Sequence, residues 1–142
     1  MKQQPFVIER TYNAPVDLVW KAITDKEQMK HWYFDLAAFK PEIGFEFHFD
    51  GNSDEKIYHH VCKITELVPG KKIAYSWRYK DYEGDSTVCF ELFAEGNRTR
   101  LKLTHEGLET FPKNNRDFAP ESFAAGWTHI IGTALKEFVE SK

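Results

Sequence analysis

The chain has 142 residues, of which 42% are hydrophobic and 15% aromatic (12 Phe, 6 Tyr and 4 Trp), and its formal net charge is -3. A chain of this size is expected to form one domain, residues 1–142, and to bury roughly two-thirds of its unfolded surface around one core. With no basic block beyond Lys71-Lys72, the positive footprint that phosphate neutralisation needs is missing, so no nucleic-acid partner is expected. No stretch approaches the roughly twenty apolar residues of a membrane helix, and the start, MKQQPFVIER, has no apolar centre for a signal peptide. A cytoplasmic protein with no membrane partner is the expectation.

FVIERTY (Phe6 to Tyr12) is rich in β-branched and aromatic residues and predicts a strand. Pro15 suits a first helical position, and Val16, Val19, Trp20 and Ile23 follow at i, i+3, i+4 and i+7, which predicts a short amphipathic helix. TDKE (Thr24 to Glu27) has the spacing of a capping box, so Thr24 is expected to cap a second short helix running to about Trp32. From Gly44 the period becomes two: Phe45, Phe47 and Phe49 alternate with Glu46, His48 and Asp50, a strand with one buried and one wet face, and DGNSD reads as its turn.

Four more strands are predicted at Lys56–Leu67, Lys72–Tyr79, Thr87–Ala94 and Arg98–His105, separated by VPGK, DYEGD and EGN, so that the whole reads as an antiparallel meander. Ile73, Tyr75, Trp77 and Tyr79 share one face, as do Val88, Phe90 and Leu92. Val61 and Ile64 are out of phase, and a bulge is expected near Cys62-Lys63. Cys62 and Cys89 fall on strands separated by another strand and read as two reduced, packed thiols.

After a loop containing FPKNNRD, Pro120 marks the entry to a long final helix. Phe123, Trp127, Ile130, Ile131, Ala134 and Phe138 fall within a stripe about 100° wide, while His129, Lys136 and Glu140 point the other way. Trp127 sits in the middle of that stripe. Gly126 sits at its edge, where a missing side chain is expected to let the helix approach neighbouring backbone, and Gly132 falls on the polar side with no packing reason of its own.

APVDLVWKAIT (Ala14 to Thr24), KIAYSW (Lys72 to Trp77), TRLKLTHEGL (Thr99 to Leu108) and GW (Gly126-Trp127) resemble, in order and spacing, the START-like SRPBCC superfamily. The branch they resemble is related to the C-terminal domain of the activator of the ninety-kilodalton heat-shock protein's ATPase. The resemblance implies an α+β helix-grip fold: a curved antiparallel sheet of about six strands wrapped around a long C-terminal helix, with two short helices after the first strand. It also implies a deep apolar cavity between sheet and helix that holds a hydrophobic small molecule. The expected walls are Trp127, Phe123, Ile130, Ile131 and Ala134 from the helix and Trp77, Tyr75, Phe90 and Leu103 from the sheet. A chaperone or other protein partner is the alternative. The eukaryotic activators carry an N-terminal domain that contributes to chaperone binding, for which this chain has no residues, so chaperone activation is not expected. A cyclase- or dehydratase-like enzyme using polar groups of the cavity is a further alternative.

Adjacent residues of a strand point to opposite faces, so His59 and His60 cannot chelate one ion together. His105-Glu106 lacks the second histidine of a zincin motif, and the cysteines lack zinc-ligand spacing. There is no GxGxxG, P-loop or GxSxG. Neither a metal nor a cofactor is expected. Tyr75, Tyr79, His105 and Arg78 are the acid/base candidates by position. The two tyrosines share a face with Ile73 and Trp77 and read as core, and His105, closing the last strand, reads as a satisfied structural histidine. No catalytic residue is assigned, and the reading is non-enzymatic.

Overall fold

The computed structural model describes residues 5–141 apart from Asp35, Ala37, Asp54 and Glu55. The beginning of MKQQPFVIER and the end of the turn DGNSD lie outside the described residues. Six strands, β1 (Phe6–Tyr12), β2 (Glu46–Ser53), β3 (Lys56–Val68), β4 (Lys72–Tyr79), β5 (Ser86–Glu95) and β6 (Arg98–Glu106), form one antiparallel sheet in the order β1-β6-β5-β4-β3-β2. Alternation decides which face is wet: Phe47 and Phe49 are buried on β2 while Glu46, His48 and Asp50 are exposed, and Ile73, Tyr75, Trp77 and Tyr79 line the inner face of β4. Curved over two short helices and a long C-terminal one, this is the α+β helix-grip arrangement.

Two local expectations for the sheet are corrected. β2 continues through Asp50–Ser53 of the expected turn, with Gly51, Asn52 and Ser53 paired to Tyr58, Ile57 and Lys56. Gly51 is required at this point, because a Cβ would stand 2.7 Å from Cε1 of His60 on the same face. The bulge lies between Ile64 and Glu66, at Thr65, and not at Cys62-Lys63, since pairing to β4 is regular from His60 to Ile64. Val61 is apolar and buried although it faces outward, and that made the phase seem to break early. Cys62 and Cys89 are free thiols on β3 and β5, with β4 between them.

The first two helices, α1 (Val16–Thr24) and α2 (Lys26–Trp32), bury Val19, Ala22, Ile23, Met29 and Trp32. The cap of α2 is Asp25, whose Oδ1 accepts from the Glu27 N–H at 3.3 Å. Thr24 instead ends α1, and its hydroxyl donates to the Trp20 carbonyl at 2.7 Å. The reason is backbone geometry: Asp25 is extended (φ -104, ψ 119) as a capping residue must be, whereas Thr24 is still helical. The Trp32 indole N–H donates to the Ala22 carbonyl at 2.9 Å and fixes α2 against α1.

The final helix runs without a break from Pro120 to Glu140 but changes pitch: α3 (Pro120–His129) passes into a π turn (Ile130–Ala134) and then α4 (Leu135–Glu140). An extra residue in one turn rotates the stripe back by about 100°. The buried row therefore goes every fourth residue, Phe123, Trp127, Ile131, Leu135 and Val139, whereas a plain 3.6-residue period places Ala134 and Phe138 inside. Both of those are only partly buried. At the π turn the Tyr12 hydroxyl donates to the Ile131 carbonyl at 2.6 Å, out of solvent, so β1 grips the helix where its own ladder is loosest.

Neither glycine of this helix makes a close approach. Apart from the helix's own backbone, nothing lies within 4 Å of a Cβ built on Gly126, and a Cβ on Gly132 meets only the Arg10 guanidinium, Nε at 3.5 Å and Nη2 at 3.8 Å, ordinary contacts. The expected packing of Gly126 against backbone is thus corrected. In a helix interior alanine is better than glycine by about 0.8–1 kcal/mol, so Gly126→Ala and Gly132→Ala are each expected to raise stability by about that amount in urea unfolding. The pitch change has its own check. Leu135→Ala is expected to cost about 2–5 kcal/mol, more than Phe138→Ala despite the larger ring removed there; the reverse order would mean that the helix keeps a 3.6-residue period throughout.

Candidate functional site

Between α3 and the inner face of β2, β3 and β4 lies a cavity of about 280 Å³. The helix side supplies Phe123, Gly126, Trp127 and Ile130, the sheet supplies Gly51, Tyr58, His60, Trp77 and Tyr79, and Phe34, Asp117 and Phe118 close it from connecting segments. Of the nine wall residues expected from sequence, Trp127, Phe123, Ile130 and Trp77 meet here. Tyr75, Phe90, Leu103 and Ile131 are buried but lie outside the lining, and Ala134 is partly buried beyond it. One side chain accounts for much of this. Tyr33, at the end of α2, stacks on Trp127 with centroids 6.1 Å apart, meets Phe90 edge-on at 6.5 Å, and its hydroxyl lies 2.6 Å from that of Tyr75. It occupies the space that Tyr75 and Phe90 would otherwise have faced. Burial pushes both phenols well above their ordinary pKa, so the pair is a neutral hydrogen bond inside the core.

The cavity floor is held by one buried chain of hydrogen bonds. Trp127 Nε1–H donates to His105 Nδ1 at 3.0 Å, and an indole N–H can only donate. His105 therefore carries its proton on Nε2, which donates to Ser86 Oγ at 2.8 Å, and Ser86 in turn donates to the Trp77 carbonyl at 2.8 Å. Every polar atom in the chain is satisfied by a neutral imidazole, and burial lowers the His105 pKa to about 3. His105 is fully shielded and does not line the cavity, so it positions Trp127 and Trp77 and cannot serve a ligand as a base. Tyr79 accepts from Trp77 Nε1 at 2.9 Å, and Arg78 is exposed on the outer face. Of the four acid/base candidates read from the sequence, only Tyr79 lines the cavity, where its hydroxyl accepts from Trp77 and keeps its own O–H to donate.

Besides Tyr79, the polar side chains that line it, His60, Tyr58 and Asp117 among them, were not read from the sequence as cavity residues. Nδ1 of His60 donates to the Tyr58 carbonyl at 2.9 Å, and its ring stacks on Phe49 at 4.4 Å. Burial is the main cause of a His60 pKa lowered to about 4. The Tyr58 hydroxyl donates to Asp117 Oδ2 at 2.6 Å and accepts from Asn115 Nδ2 at 3.1 Å, which pins the loop before α3 to β3. Strand parity could have found His60 and Tyr58, since they face inward once His59 faces outward. Asp117 and Phe118 both sit in a short 3-10 turn (Arg116–Phe118) with no periodic signal. Among the described residues no group of three or more His, Cys, Asp or Glu side chains is arranged to hold a metal ion, and no helix is long and apolar enough to cross a membrane.

A curved sheet closed by an aromatic-anchored C-terminal helix defines a START-like helix-grip domain. The chain belongs to the family described as Activator of Hsp90 ATPase homolog 1-like protein, whose model matches residues 13–140. It is 24% identical over 133 residues to mouse (Mus musculus) activator of 90 kDa heat shock protein ATPase homolog 1, covering 92% of this chain and 35% of that protein, so it spans about a third of that relative. Among solved structures it is similar to protein CV1439 from Chromobacterium violaceum, with a TM-score of 0.81, 21% identity, and coverage of 96% of this chain and 97% of that one. CalU16 from Micromonospora echinospora is similar with a TM-score of 0.73 and 27% identity, over 95% of this chain and 75% of that one.

Two outcomes follow from the buried histidines. In the unfolded chain each titrates near about 6.5, whereas in the fold they stay neutral down to about 4 (His60) and about 3 (His105). The unfolded state therefore binds more protons below pH about 6.5, and stability falls as pH drops through that window. Urea midpoints measured between pH 7.5 and 4.5 should decline, and His60→Gln should flatten the decline. Trp127→Phe keeps a ring but leaves His105 Nδ1 without its donor, an expected loss of about 1–3 kcal/mol; an unchanged midpoint would show that water replaces the indole at no cost.

Proposed function

We propose that this protein binds a hydrophobic small molecule, non-enzymatically and without a cofactor, in the cavity between α3 and the sheet. The observation that carries the reading is the cavity of about 280 Å³ walled by Trp77, Trp127, Phe34, Phe118 and Phe123. Its size is near the lower end of the range of about 300–1,000 Å³ typical of small-molecule sites, which suits one or two fused rings or a short acyl chain. His60 Nδ1 is committed to the Tyr58 carbonyl and the Tyr58 hydroxyl to Asp117, and burial lowers the His60 pKa to about 4 and raises that of the Tyr79 phenol, which moves both away from proton exchange near neutral pH. That supports binding over acid/base chemistry, which needs convergent titratable groups left available to a substrate. A single domain over residues 1–142 and a cytoplasmic location are part of the same proposal, on the family relationship.

The test is thermal unfolding against a panel of naphthols, indoles and medium-chain acyl compounds. A ligand at 100 times its Kd stabilises the fold by about 2.7 kcal/mol. Gly126 stands at the cavity with nothing but the helix's own backbone within 4 Å of its would-be Cβ, so Gly126→Leu is expected to fill the cavity and abolish the shift while leaving the core intact. The reading fails if no compound shifts the melting temperature, or if the plugged variant responds as well as the parent.

A chaperone partner is the second reading, favoured by the family and by the mouse relative named as an ATPase activator. It takes second place because the geometry supplies a walled cavity and singles out no protein-docking surface among the described residues. Stimulation of a 90-kDa chaperone's ATPase by this protein alone is expected to be absent or weak; several-fold stimulation would make the co-chaperone reading the first.

A further inference from the structure

The hairpin that walls the cavity carries a different arrangement on its outer face. His48 and Asp50 of β2 lie on that face with His59 of β3, Asp50 directly opposite His59 and His48 on the diagonal, since its own partner is Val61. Nε2 of His48 is 3.0 Å from Glu46 Oε1, Nδ1 of His59 is 2.7 Å from Asp50 Oδ1, and the two remaining nitrogens, His48 Nδ1 and His59 Nε2, face each other 3.1 Å apart. Both rings are substantially exposed, so this is outside the core and on the opposite side of the sheet from the cavity.

An ionised carboxylate only accepts hydrogen bonds. With both rings neutral, His48 must therefore place its proton on Nε2 and His59 on Nδ1, and the facing nitrogens both present lone pairs. Two lone pairs 3.1 Å apart repel unless a cation stands between or beside them. Metal–imidazole bonds of about 2.0–2.1 Å put two neighbouring ligand nitrogens about 2.9–3.4 Å apart, and the observed spacing falls inside that window. A histidine that binds a metal almost always donates its other N–H to a carboxylate or carbonyl, which fixes the tautomer and ring orientation. Here both rings have that support in place.

We propose that His48 Nδ1 and His59 Nε2 chelate one divalent transition-metal ion, with Glu46 and Asp50 orienting the rings and water completing the coordination. Imidazole pairs suit Zn²⁺, Cu²⁺ or Ni²⁺, not Mg²⁺ or Ca²⁺, which take oxygen ligands. The two carboxylates supply negative charge beside the ion. The alternative occupant of the gap is a single proton shared by the two rings.

Calorimetric titration of the untagged protein with ZnCl₂ in a non-chelating buffer at pH 7.5, followed by imidazole NMR, decides between them. One equivalent is expected to bind saturably, with ring signals of His48 and His59 moving and those of His31 and His129 unmoved. His48→Gln and His59→Gln should each abolish the saturable phase, and Glu46→Gln or Asp50→Asn should weaken it on the order of tenfold. All four positions are on the wet face, so melting temperature verifies that each variant is folded. The proposal is overturned if the parent shows no saturable uptake, which leaves the proton as sole occupant, or if a His48→Gln/His59→Gln double variant binds zinc as the parent does. MgCl₂ in place of ZnCl₂ should give no response.

Discussion

An indole N–H placed in an aromatic core needs an acceptor there, because a buried donor left unpaired costs about 1–3 kcal/mol. Trp127 meets this need with His105, whose Nε2–H donates to Ser86, whose hydroxyl in turn donates to the Trp77 carbonyl. That chain joins the last helix to β6, β5 and β4 in succession, and it works with only one tautomer of the histidine. Hydrophobic contact alone would let α3 slide or roll over the sheet at little cost; the hydrogen bond permits one azimuth. With Trp127 and Trp77 held 5.5 Å apart, the floor of the cavity is set.

A second clamp lies one turn further on, where Tyr12 of β1 donates to the Ile131 carbonyl. A helix of 3.6 residues per turn that satisfies the first clamp drifts progressively away from the sheet if its large apolar residues are spaced by four. Phe123, Trp127, Ile131, Leu135 and Val139 are spaced in that way, and all are buried. The π turn between Ile130 and Ala134 reconciles the row with the sheet by adding a residue to one turn. Such a turn weakens the local ladder, and the Tyr12 hydroxyl supplies a bond to the carbonyl at that point. Desolvation, the dominant influence, pushes the Tyr12 phenol well above its ordinary pKa, so the hydroxyl keeps its proton and remains a donor.

The strands were legible because alternation is a strong signal when one face is an aromatic core and the other is wet: Phe47 and Phe49 against Glu46, His48 and Asp50 needs no further information. The central place of Trp127 was legible for a similar reason, as the largest residue in the stripe. Three things were hidden. The π turn has no residue signature, and the stripe Ile130, Ile131, Ala134, Phe138 fits a regular helix as well as the true row fits an irregular one. Tyr33 follows a short helix and packs through contacts distant in sequence, so its filling of the space beside Tyr75 and Phe90 could not be read locally. His60 was weighed only with its neighbour His59 as a metal pair; the same parity argument that separated them also assigns one to the cavity and the other to the outer face.

That separation has a structural consequence for the hairpin. On β3, Tyr58 and His60 reach the cavity while His59, between them, reaches across to β2 on the far side. Gly51 of β2 lines the same cavity and has no room for a side chain because His60 leans over it. The register Asp50↔His59 and Phe49↔His60 therefore holds two arrangements at once, an aromatic wall inside and an imidazole pair outside. A one-residue slip would exchange the faces and destroy both. β2 is also an edge strand, paired on one side only, and edge strands depend on their cross-strand side-chain pairs more than central ones do. The outer row from Glu46 through His48 and His59 to Asp50 supplies such pairs along the stretch of β2 that borders the cavity, so the polarity of the wet face helps to fix the geometry of the dry one.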